Sequence, residues 1–466
     1  MTLFSPAIKA FERLQASDGL LITADHWHRT QHYHRQRQNF YYQSLHQAGI
    51  VSGLGVSVTT APQEIEARYR NSRWIQVQPG IAIDAHGNPI VAPEACVFQV
   101  QSQCNAGESK TVYIVLNYVD PDELRYPSEQ NWVKETFRIV EKTQLDTLDV
   151  EICRIHLTPE ETALKTAEDV FNPGPNCLDL THRRSIRDRP EGGVRIAQLT
   201  ESAAPNLQVS RGLSYLLNAV NIFYPALAGE EETSDIPLDA LDEQSLNNRD
   251  LLYLSYERLP KLKGAYPSIL KTYLKTGGVL LIAVDSKLSR QGELAKIRQD
   301  LSAALAEAEN DPSLASLTGS VQAEIEAIDA ERMQFLQNIQ QSIFPLAHQL
   351  DISLMDSGDI PFDHPIRTTP FLFSSWPVVE GGPLQLFCWG GLVLMVGNLA
   401  QVWGPDEAAA RSRESIRTAH EMGINLLYYA WRRRQLVQLQ QGGAPIASNA
   451  QHDSLTNQVN PLAPNA

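Results

Sequence analysis

The pattern of apolar residues differs between the part of this chain before residue 159 and the part after residue 193. Between Trp74 and Ile155 the apolar residues form short runs rich in Val and Ile, such as WIQVQPGIAI and TVYIVLNYV, which Gly, Pro, Asn and Asp separate. This pattern predicts short β-strands joined by turns. After residue 194, continuous apolar runs such as Val279–Val284 alternate with helical segments of about a dozen residues, a pattern typical of βαβ units around a parallel sheet. The sequence therefore predicts an α+β region followed by an α/β region.

The 466 residues are too many for one compact core, and changes in composition divide them. Thr23 and Asp25 are a helix start signal. No Gly or Pro follows before Gly49, so the predicted helix is long. A stretch with FNPGPN and HRRSIRDRPEGG separates the β region from the α/β region. We predict a long helix with a small β domain at 1–158, a linker at 159–193, an α/β domain at 194–439 that closes with a helix from about Asp406 to Leu439, and a disordered tail at 440–466.

Residues 288–343 interrupt the α/β pattern. Apolar residues recur there every three or four positions on both sides of Asn310, Asp311 and Pro312. This spacing predicts an antiparallel helical hairpin inserted into the α/β domain. We expect the hairpin to project and to contact a partner; the alternative is that it folds back as a lid over the strand ends.

The charge and cysteine content restrict the partners and the compartment. Lysine and arginine number 39, aspartate and glutamate 54, and the formal net charge of −15 predicts no nucleic-acid partner, because such a chain repels phosphate backbones. The five cysteines form no CxxC pair, and we find no secretory signal, so we expect a cytoplasmic protein. The apolar run at 384–400 approaches the length of a membrane span, but it contains Gln385, Asn398 and three glycines. We predict that this run is buried strand and that the chain has no transmembrane segment.

The long helix contains the densest group of histidines in the sequence. Asp25, His28 and His32 share one helical face at spacings of three and four residues, which could bring a carboxylate and two imidazoles to one cation. The helix lacks the HExxH pattern, and its histidines can equally form surface hydrogen bonds. We expect no bound metal, and we expect no cofactor, since no GxxxxGK[ST] or GxGxxG turn is present.

Polar residues cluster where strands of the α/β region are expected to end. Ligands bind outside the carboxyl ends of strands in open α/β sheets, so a site is expected there. The residues are Asp285, Ser286, Asp356, Ser357, Asp359, Asp363 and His364, of which Asp285, Ser286, Asp356 and Asp363 are the ligand-binding candidates. An alternative interpretation is a catalytic relay of Ser286, His364 and Asp359. Arg432–Arg434 end the last helix, where cations complement its dipole.

The segment that begins with the long helix resembles a leading module of uncharacterised bacterial proteins. LLITADHWHRTQHYHRQRQNFYYQSLHQAGIVSGLGV and the later IQVQPGIAIDAHGNPIV resemble the forms TAxDxxxxQxYxxxR, LHxxGIVxGLxV and VxPGxAIDxxGxxI. Some of these proteins are associated with phage-tail-like contractile injection systems. The matching positions are Thr23, Asp25, Gln31, Tyr33, Leu45, His46, Gly49, Val51, Gly53, Leu54, Pro79, Gly80, Asp84, Gly87 and Ile90.

The α/β region resembles an uncharacterised prokaryotic domain family. LLYLSY, YLKTGGVLLIAVDS, FDHPI and AHEMGINLLYYAW carry the resemblance, which covers roughly 194–435. The family has a core like that of class I glutamine amidotransferases, which implies a flavodoxin-like parallel sheet. In those enzymes a strand leads into a sharp turn with a cysteine nucleophile. Here Val279–Val284 leads into Asp285, Ser286 and Lys287 without GxCxG or GxSxG, and Cys388 lies inside an apolar run, so we expect no enzymatic activity.

Together the resemblances imply a structural protein. We expect a non-enzymatic component of a large assembly, a baseplate accessory or extension subunit of a contractile injection system, within a particle that docks at a membrane. Its partners would be other subunits of that particle, including copies of itself. The alternative is a hydrolase or a small-ligand-binding protein that uses the amidotransferase-like domain.

Overall fold

The computed structural model describes residues 10–66, 70–105, 107–120, 132–159, 163–201, 207–230, 233–284, 291–310, 318–354, 358–379, 382–397, 399–405 and 411–441. Within these ranges the chain forms two compact units, and the division between them falls between Arg189 and Pro190. The two units have different architectures, as the change in the apolar pattern predicts.

The N-terminal unit combines one long helix, α1 (Ala24–Leu45), with short antiparallel strands. The strands form a four-stranded sheet of order β11-β10-β8-β9, two three-stranded sheets of order β2-β5-β6 and β3-β4-β7, and the pair β1-β12. Their bounds are β1 (His46–Gln47), β2 (Gly49–Gly53), β3 (Val56–Thr59), β4 (Trp74–Val77), β5 (Gly80–Ile83), β6 (Pro89–Ala92), β7 (Cys96–Gln99), β8 (Lys110–Val119), β9 (Thr136–Lys142), β10 (Val150–Leu157), β11 (Leu178–Asp179) and β12 (Arg187–Asp188).

The core of this unit lies between the small sheets. Alternate residues of β8, among them Val112, Ile114 and Leu116, are fully buried, as expected for strands with one face on a core. The motif GIVSGLGV makes a tight crossing at Gly53, whose φ is +65° and whose α-carbon has no room for a side chain, since a Cβ would lie 2.1 Å from the carbonyl oxygen of Pro79.

The segment that the sequence pattern assigns to a linker, 159–193, belongs largely to the N-terminal unit. Leu164 and Leu178 are buried in its core, β11 pairs with β10, and β12 pairs with β1. Residues 163–189 are therefore packed structure, and the boundary lies at residue 190. The sequence suggested a linker because the apolar residues that anchor this segment are single residues within a polar stretch.

The C-terminal unit is a mixed α/β structure around a six-stranded sheet of order β16-β14-β17-β18-β22-β21. All strand pairs in this sheet are parallel except β21 with β22, and the five parallel strands, counted along the chain, lie in the order 2-1-3-4-5. The strands are β13 (Gly192–Val194), β14 (Ile196–Thr200), β15 (Leu227–Gly229), β16 (Ser234–Pro237), β17 (Leu251–Ser255), β18 (Val279–Val284), β19 (Val378–Val379), β20 (Gly382–Pro383), β21 (Gln385–Trp389) and β22 (Leu392–Val396). The α-helices are α2 (Leu207–Phe223), α3 (Tyr266–Lys275), α4 (Gln291–Asn310), α5 (Thr318–Gln349), α6 (Pro365–Thr368), α7 (Leu399–Trp403) and α8 (Arg413–Gln440), and 3₁₀ helices span Leu238–Ala240 and Tyr256–Lys261.

Helices cover both faces of this sheet. Val279, Leu281 and Ala283 of β18 pack toward α2, α7 and α8, whereas the alternate residues Leu280 and Ile282 pack toward α3 and α5. All six residues of β18 are buried, which explains why the strand is a continuous apolar run. The prediction of a parallel sheet in this half is confirmed.

The apolar run at 384–400 is also part of this sheet. It forms β21 and β22, and every residue of β22 is buried. Among the described residues, no helix combines the length and the apolar character that a membrane crossing requires.

The predicted helical hairpin exists, but its second arm is longer than predicted. The helices α4 and α5 pack together, and Arg298 Nε lies 2.7 Å from Asp329 Oδ1. The helix α5 continues through Pro345 to Gln349, and Ile339 and Ile343 are buried against the sheet. The base of the hairpin therefore belongs to the core, and the hairpin cannot be removed at residue 343 as a separate insertion. The closing helix α8 begins at Arg413 and ends at Gln440, and residues 442–466 lie outside the described ranges.

Candidate functional site

Part of the predicted strand-end cluster lies outside the described residues. Asp285 and Ser286 fall in the undescribed range 285–290, and Asp356 and Ser357 fall in 355–357. The described members of the cluster are Asp359, Asp363 and His364.

Asp359 lies at the edge of the six-stranded sheet. It forms an isolated antiparallel bridge with Phe387 of β21, and the backbone amide of Cys388 donates to the carbonyl oxygen of Gly358 at 2.8 Å. The segment around Asp359 thus extends the sheet beyond its antiparallel edge strand.

His364 caps the short helix α6. Its Nδ1 accepts a hydrogen bond from the backbone amide of Ile366 at 3.2 Å, and its ring centroid lies 5.2 Å from that of Tyr429. Burial lowers the pKa of His364, although the neighbouring Asp363 acts in the opposite direction. The Tyr429 hydroxyl donates to the carbonyl oxygen of Gly390, just before β22 begins. His364 is therefore a neighbour of residues at the amino end of β22.

The surroundings of Cys388 disfavour its thiolate form. Burial raises the pKa of its thiol, and its Sγ lies 3.6 Å from the hydroxyl oxygen of Tyr429. A nucleophilic cysteine requires the opposite shift, toward the thiolate. The structure thus agrees with the interpretation of Cys388 as a packing residue.

Helix α1 does not group the metal candidates Asp25, His28 and His32 as a set of ligands. Asp25 pairs with Arg29 at 3.1 Å, and the ring nitrogens of His32 contact Gln36 at 2.7 Å and Arg35 at 3.3 Å. In the parts of the chain that the structure describes, no three histidine, cysteine, aspartate or glutamate side chains are grouped as metal ligands.

The helix α1, described over its whole length, buries none of its side chains. A capping box with Thr23 and His26 closes its first turn, and contacts with loops of the N-terminal unit hold it further along. Arg35 Nη1 donates to Asp120 Oδ1 at 2.9 Å, and the side chains of Asn39 and Asn88 lie 2.6 Å apart. The helix is therefore held by polar contacts rather than by a core.

Large apolar side chains are exposed on α1 and on the segment before it. Trp27 is 59% exposed, and the others are Phe11, Leu20, Leu21, Ile22, Phe40, Tyr41 and Leu45. Arg37 lies over the rings of Phe11, Tyr33 and Tyr41, at 5.9 to 6.0 Å from their centroids. We call this set of exposed residues, with the aromatic cluster around Arg37, the α1 surface.

A cavity of about 640 Å³ opens at the amino ends of β18 and β22. The sequence predicts a site at the carboxyl ends of the strands instead, although Asp359 of the predicted cluster is among the residues that line this cavity. The residues that line it are Lys271, Leu274, Lys275, Leu350, Asp351, Ile352, Ser353, Gly358, Asp359, Cys388, Trp389, Gly390, Gly391 and Arg433. We call it the amino-end cavity.

The cations of this cavity were missed in the sequence. Lys271 and Lys275 are on α3, and Arg433 is on α8, so only the fold brings them together. Arg433 Nη1 donates to the carbonyl oxygens of Leu274 at 3.1 Å and Gly278 at 2.7 Å, and thus satisfies the end of α3 rather than that of its own helix.

Comparison with protein-family models gives no match, and comparison with curated proteins gives none either.

Proposed function

We propose that this chain is a non-enzymatic structural subunit of a large protein assembly, an accessory or extension subunit at the baseplate of a contractile injection particle. The observation that carries the proposal is the α1 surface. A helix of 22 residues that buries none of its side chains exposes Trp27, Phe40, Tyr41 and Leu45. Large exposed apolar groups in a folded protein are typical of interaction surfaces.

The way in which α1 is held supports this role. Most helices in proteins are stabilised by an apolar face packed on a core, and short helices without one are marginal in water. Here the capping box and the contacts of Arg35 and Asn39 position the helix and leave its aromatic residues accessible. Aromatic side chains and arginine are also the residues that contribute most to binding at protein interfaces.

The identity of the assembly rests on the resemblance of residues 20–91 to the leading module of proteins associated with injection particles. The order 2-1-3-4-5 of the parallel strands supports a flavodoxin-like core in the C-terminal unit, as the second resemblance implies. The absence of a nucleophile motif after Val284 and the raised pKa of Cys388 support a structural rather than a catalytic role. The proposed location is the cytoplasm, in a particle that docks at a membrane and contains several copies of the chain.

The test is purification of the native protein with its partners, followed by mass spectrometry and negative-stain imaging. We expect sheath-like particles to be purified with the unaltered chain. A Trp27→Ser, Tyr41→Ser double variant should lose these particles while its thermal unfolding stays unchanged. Phe171→Ser is the matched control, because Phe171 is 88% exposed in the same unit but lies away from α1 in sequence. Recovery of the chain without any particle would contradict the proposal.

A second function, binding of a small ligand, is favoured by the amino-end cavity, which has the size of ligand pockets in general. The hydrolase alternative has a separate test. Esterase or glutaminase turnover that disappears in Ser286→Ala would favour it over the structural role.

A further inference from the structure

The amino-end cavity has more positive than negative charge in its lining, within a chain of net charge −15. Lys271, Lys275 and Arg433 face two carboxylates, Asp351 and Asp359, so the lining side chains sum to about +1 at neutral pH. Lys271 and Asp351 form an ion pair and neutralise each other. The charge of the cavity therefore depends on the remaining three groups.

Two of those groups are cations without a carboxylate partner in the described part of the chain. Lys275 is exposed in the last turn of α3, and no ion pair engages its amine. Its charge, together with that of Lys271, lowers the pKa of Asp351, for which the hydrogen bond from Lys271 is the main cause. Lys275 thus adds to the positive field of the cavity without being neutralised by a partner of its own.

Hydrogen bonds fix the position of the Arg433 side chain and leave some of its N–H donors unused. Its Nη1 donates to two carbonyl oxygens, those of Leu274 and Gly278, which immobilises the planar guanidinium. Within the described residues, its Nε and Nη2 donate to no protein acceptor. A guanidinium with two such donors on one edge can bind a carboxylate or a phosphoryl group through two parallel hydrogen bonds.

The wall beside these cations is formed by Trp389 and by three glycines, Gly358, Gly390 and Gly391. Trp389 stacks on Phe387 with an angle of 13° between the rings, and Gly358 lies against its indole, where a Cβ would come within 2.4 Å. Gly390 and Gly391 form the turn between β21 and β22, and Gly390 has a φ of +62°. A ligand with a flat apolar body could therefore lie along this wall.

We propose that the amino-end cavity is a binding site for a small organic anion, whose carboxylate or phosphoryl group contacts Arg433 and Lys275 and whose apolar body lies toward Trp389. The site is distinct from the α1 surface, and it shares Asp359 with the predicted strand-end cluster. It does not depend on the proposed role in an assembly.

The test is isothermal titration calorimetry of the full chain with benzoate, phenyl phosphate and the neutral benzyl alcohol. At ligand concentrations up to about 10 mM, we expect saturable binding of at least one of the two anions and no binding of benzyl alcohol. The two anions distinguish a carboxylate site from a phosphoryl site. Absence of binding by both, or equal binding of benzyl alcohol, would overturn the proposal.

Substitutions locate the binding. Arg433→Gln should weaken it about tenfold, the effect of losing a charge-assisted hydrogen bond, and Lys275→Gln about threefold, because an exposed cation contributes less. Lys263→Gln is the matched control on the same unit and should leave binding unchanged. If Arg433→Gln lowers the melting temperature, the change in anion affinity caused by Lys275→Gln alone tests the proposal. Binding that neither substitution weakens would contradict the assignment.

Discussion

The helices α1 and α8 have similar residue compositions but differ in whether their side chains are buried. Both are rich in arginine and aromatic residues, and they span 22 and 28 residues. No side chain of α1 is buried, whereas α8 crosses a face of the six-stranded sheet and buries ten residues. The helices differ in the residues placed at intervals of three and four.

Small and apolar residues alternate along the buried face of α8. Gly423 lets the helix approach α2 and α7, since a Cβ there would lie 2.6 Å from Leu216 and 2.8 Å from Trp403. In α1 the same intervals hold His, Gln and Arg, so no stripe can face a core. A helix is thus assigned to the core or to the surface by spacing rather than by composition.

The largest effect expected from this comparison is on packing. Leu427 of α8 is fully buried, and Leu427→Ala should reduce the free energy of unfolding by about 2 to 5 kcal/mol, through lost transfer energy and a cavity. Leu45, at the end of α1, is 58% exposed, so Leu45→Ala should change the free energy of unfolding by less than about 0.5 kcal/mol. Urea denaturation measures both. Equal effects of the two substitutions would mean that α1 also packs on a core.

A buried carboxylate beside α8 should make the stability of the fold depend on pH. Arg434 of α8 lies 4.0 Å from Asp250, which is buried, and burial raises the pKa of Asp250 to about 6. Arg195, Glu230 and Tyr273 also interact electrostatically with Asp250. By contrast, Asp120, the partner of Arg35 on α1, is 36% exposed.

Because the folded state binds this proton more tightly than the unfolded chain, Asp250 stabilises the fold fully below about pH 4, and this contribution is lost as pH rises through about 6. We expect wild type to gain on the order of 1 to 1.5 kcal/mol over Asp250→Asn between about pH 7.5 and about pH 5. Urea midpoints at the two pH values test this. Parallel pH dependences of the two proteins would rule out the buried titration.

The smallest effect concerns the cap of α1. Thr23→Ala removes the side-chain acceptor of the capping box, and should cost about 1 kcal/mol. Because no core holds α1, the loss should appear as about fivefold faster hydrogen exchange of its first amides. Thr30→Ala, in the helix interior, is the control and should not accelerate exchange. Unchanged exchange in Thr23→Ala would show that the preceding segment, rather than the cap, fixes the start of the helix.

The sequence predicted those parts of the fold that depend on local pattern. The buried strand at Val279–Val284 follows from a continuous apolar run, the helix after Thr23 from its start signal and its lack of Gly and Pro, and the hairpin from the period of its apolar residues. The packing of residues 163–189 could not be predicted in this way, because Leu164 and Leu178 depend on contacts with distant strands. The predicted hairpin ends at residue 343, whereas α5 continues to Gln349 through Pro345, a residue type that usually ends or kinks a helix.

The candidate site was the least predictable part. The carboxyl-end rule pointed to Asp285 and Ser286, whereas the cavity at the amino ends is formed by cations from two helices that are far apart in sequence. Arg433 in particular looked like a complement to its own helix dipole. Only the fold places it at the end of α3, where it lines the cavity.

The absence of buried side chains on α1 has an evolutionary consequence. Where a helix fills a core, most substitutions are removed by selection for folding, so that α8 has little freedom to drift. The exposed positions of α1 are free of this requirement, apart from Thr23 and the few residues that position the helix. New recognition specificities can therefore arise on α1 by single substitutions while the rest of the molecule remains unchanged.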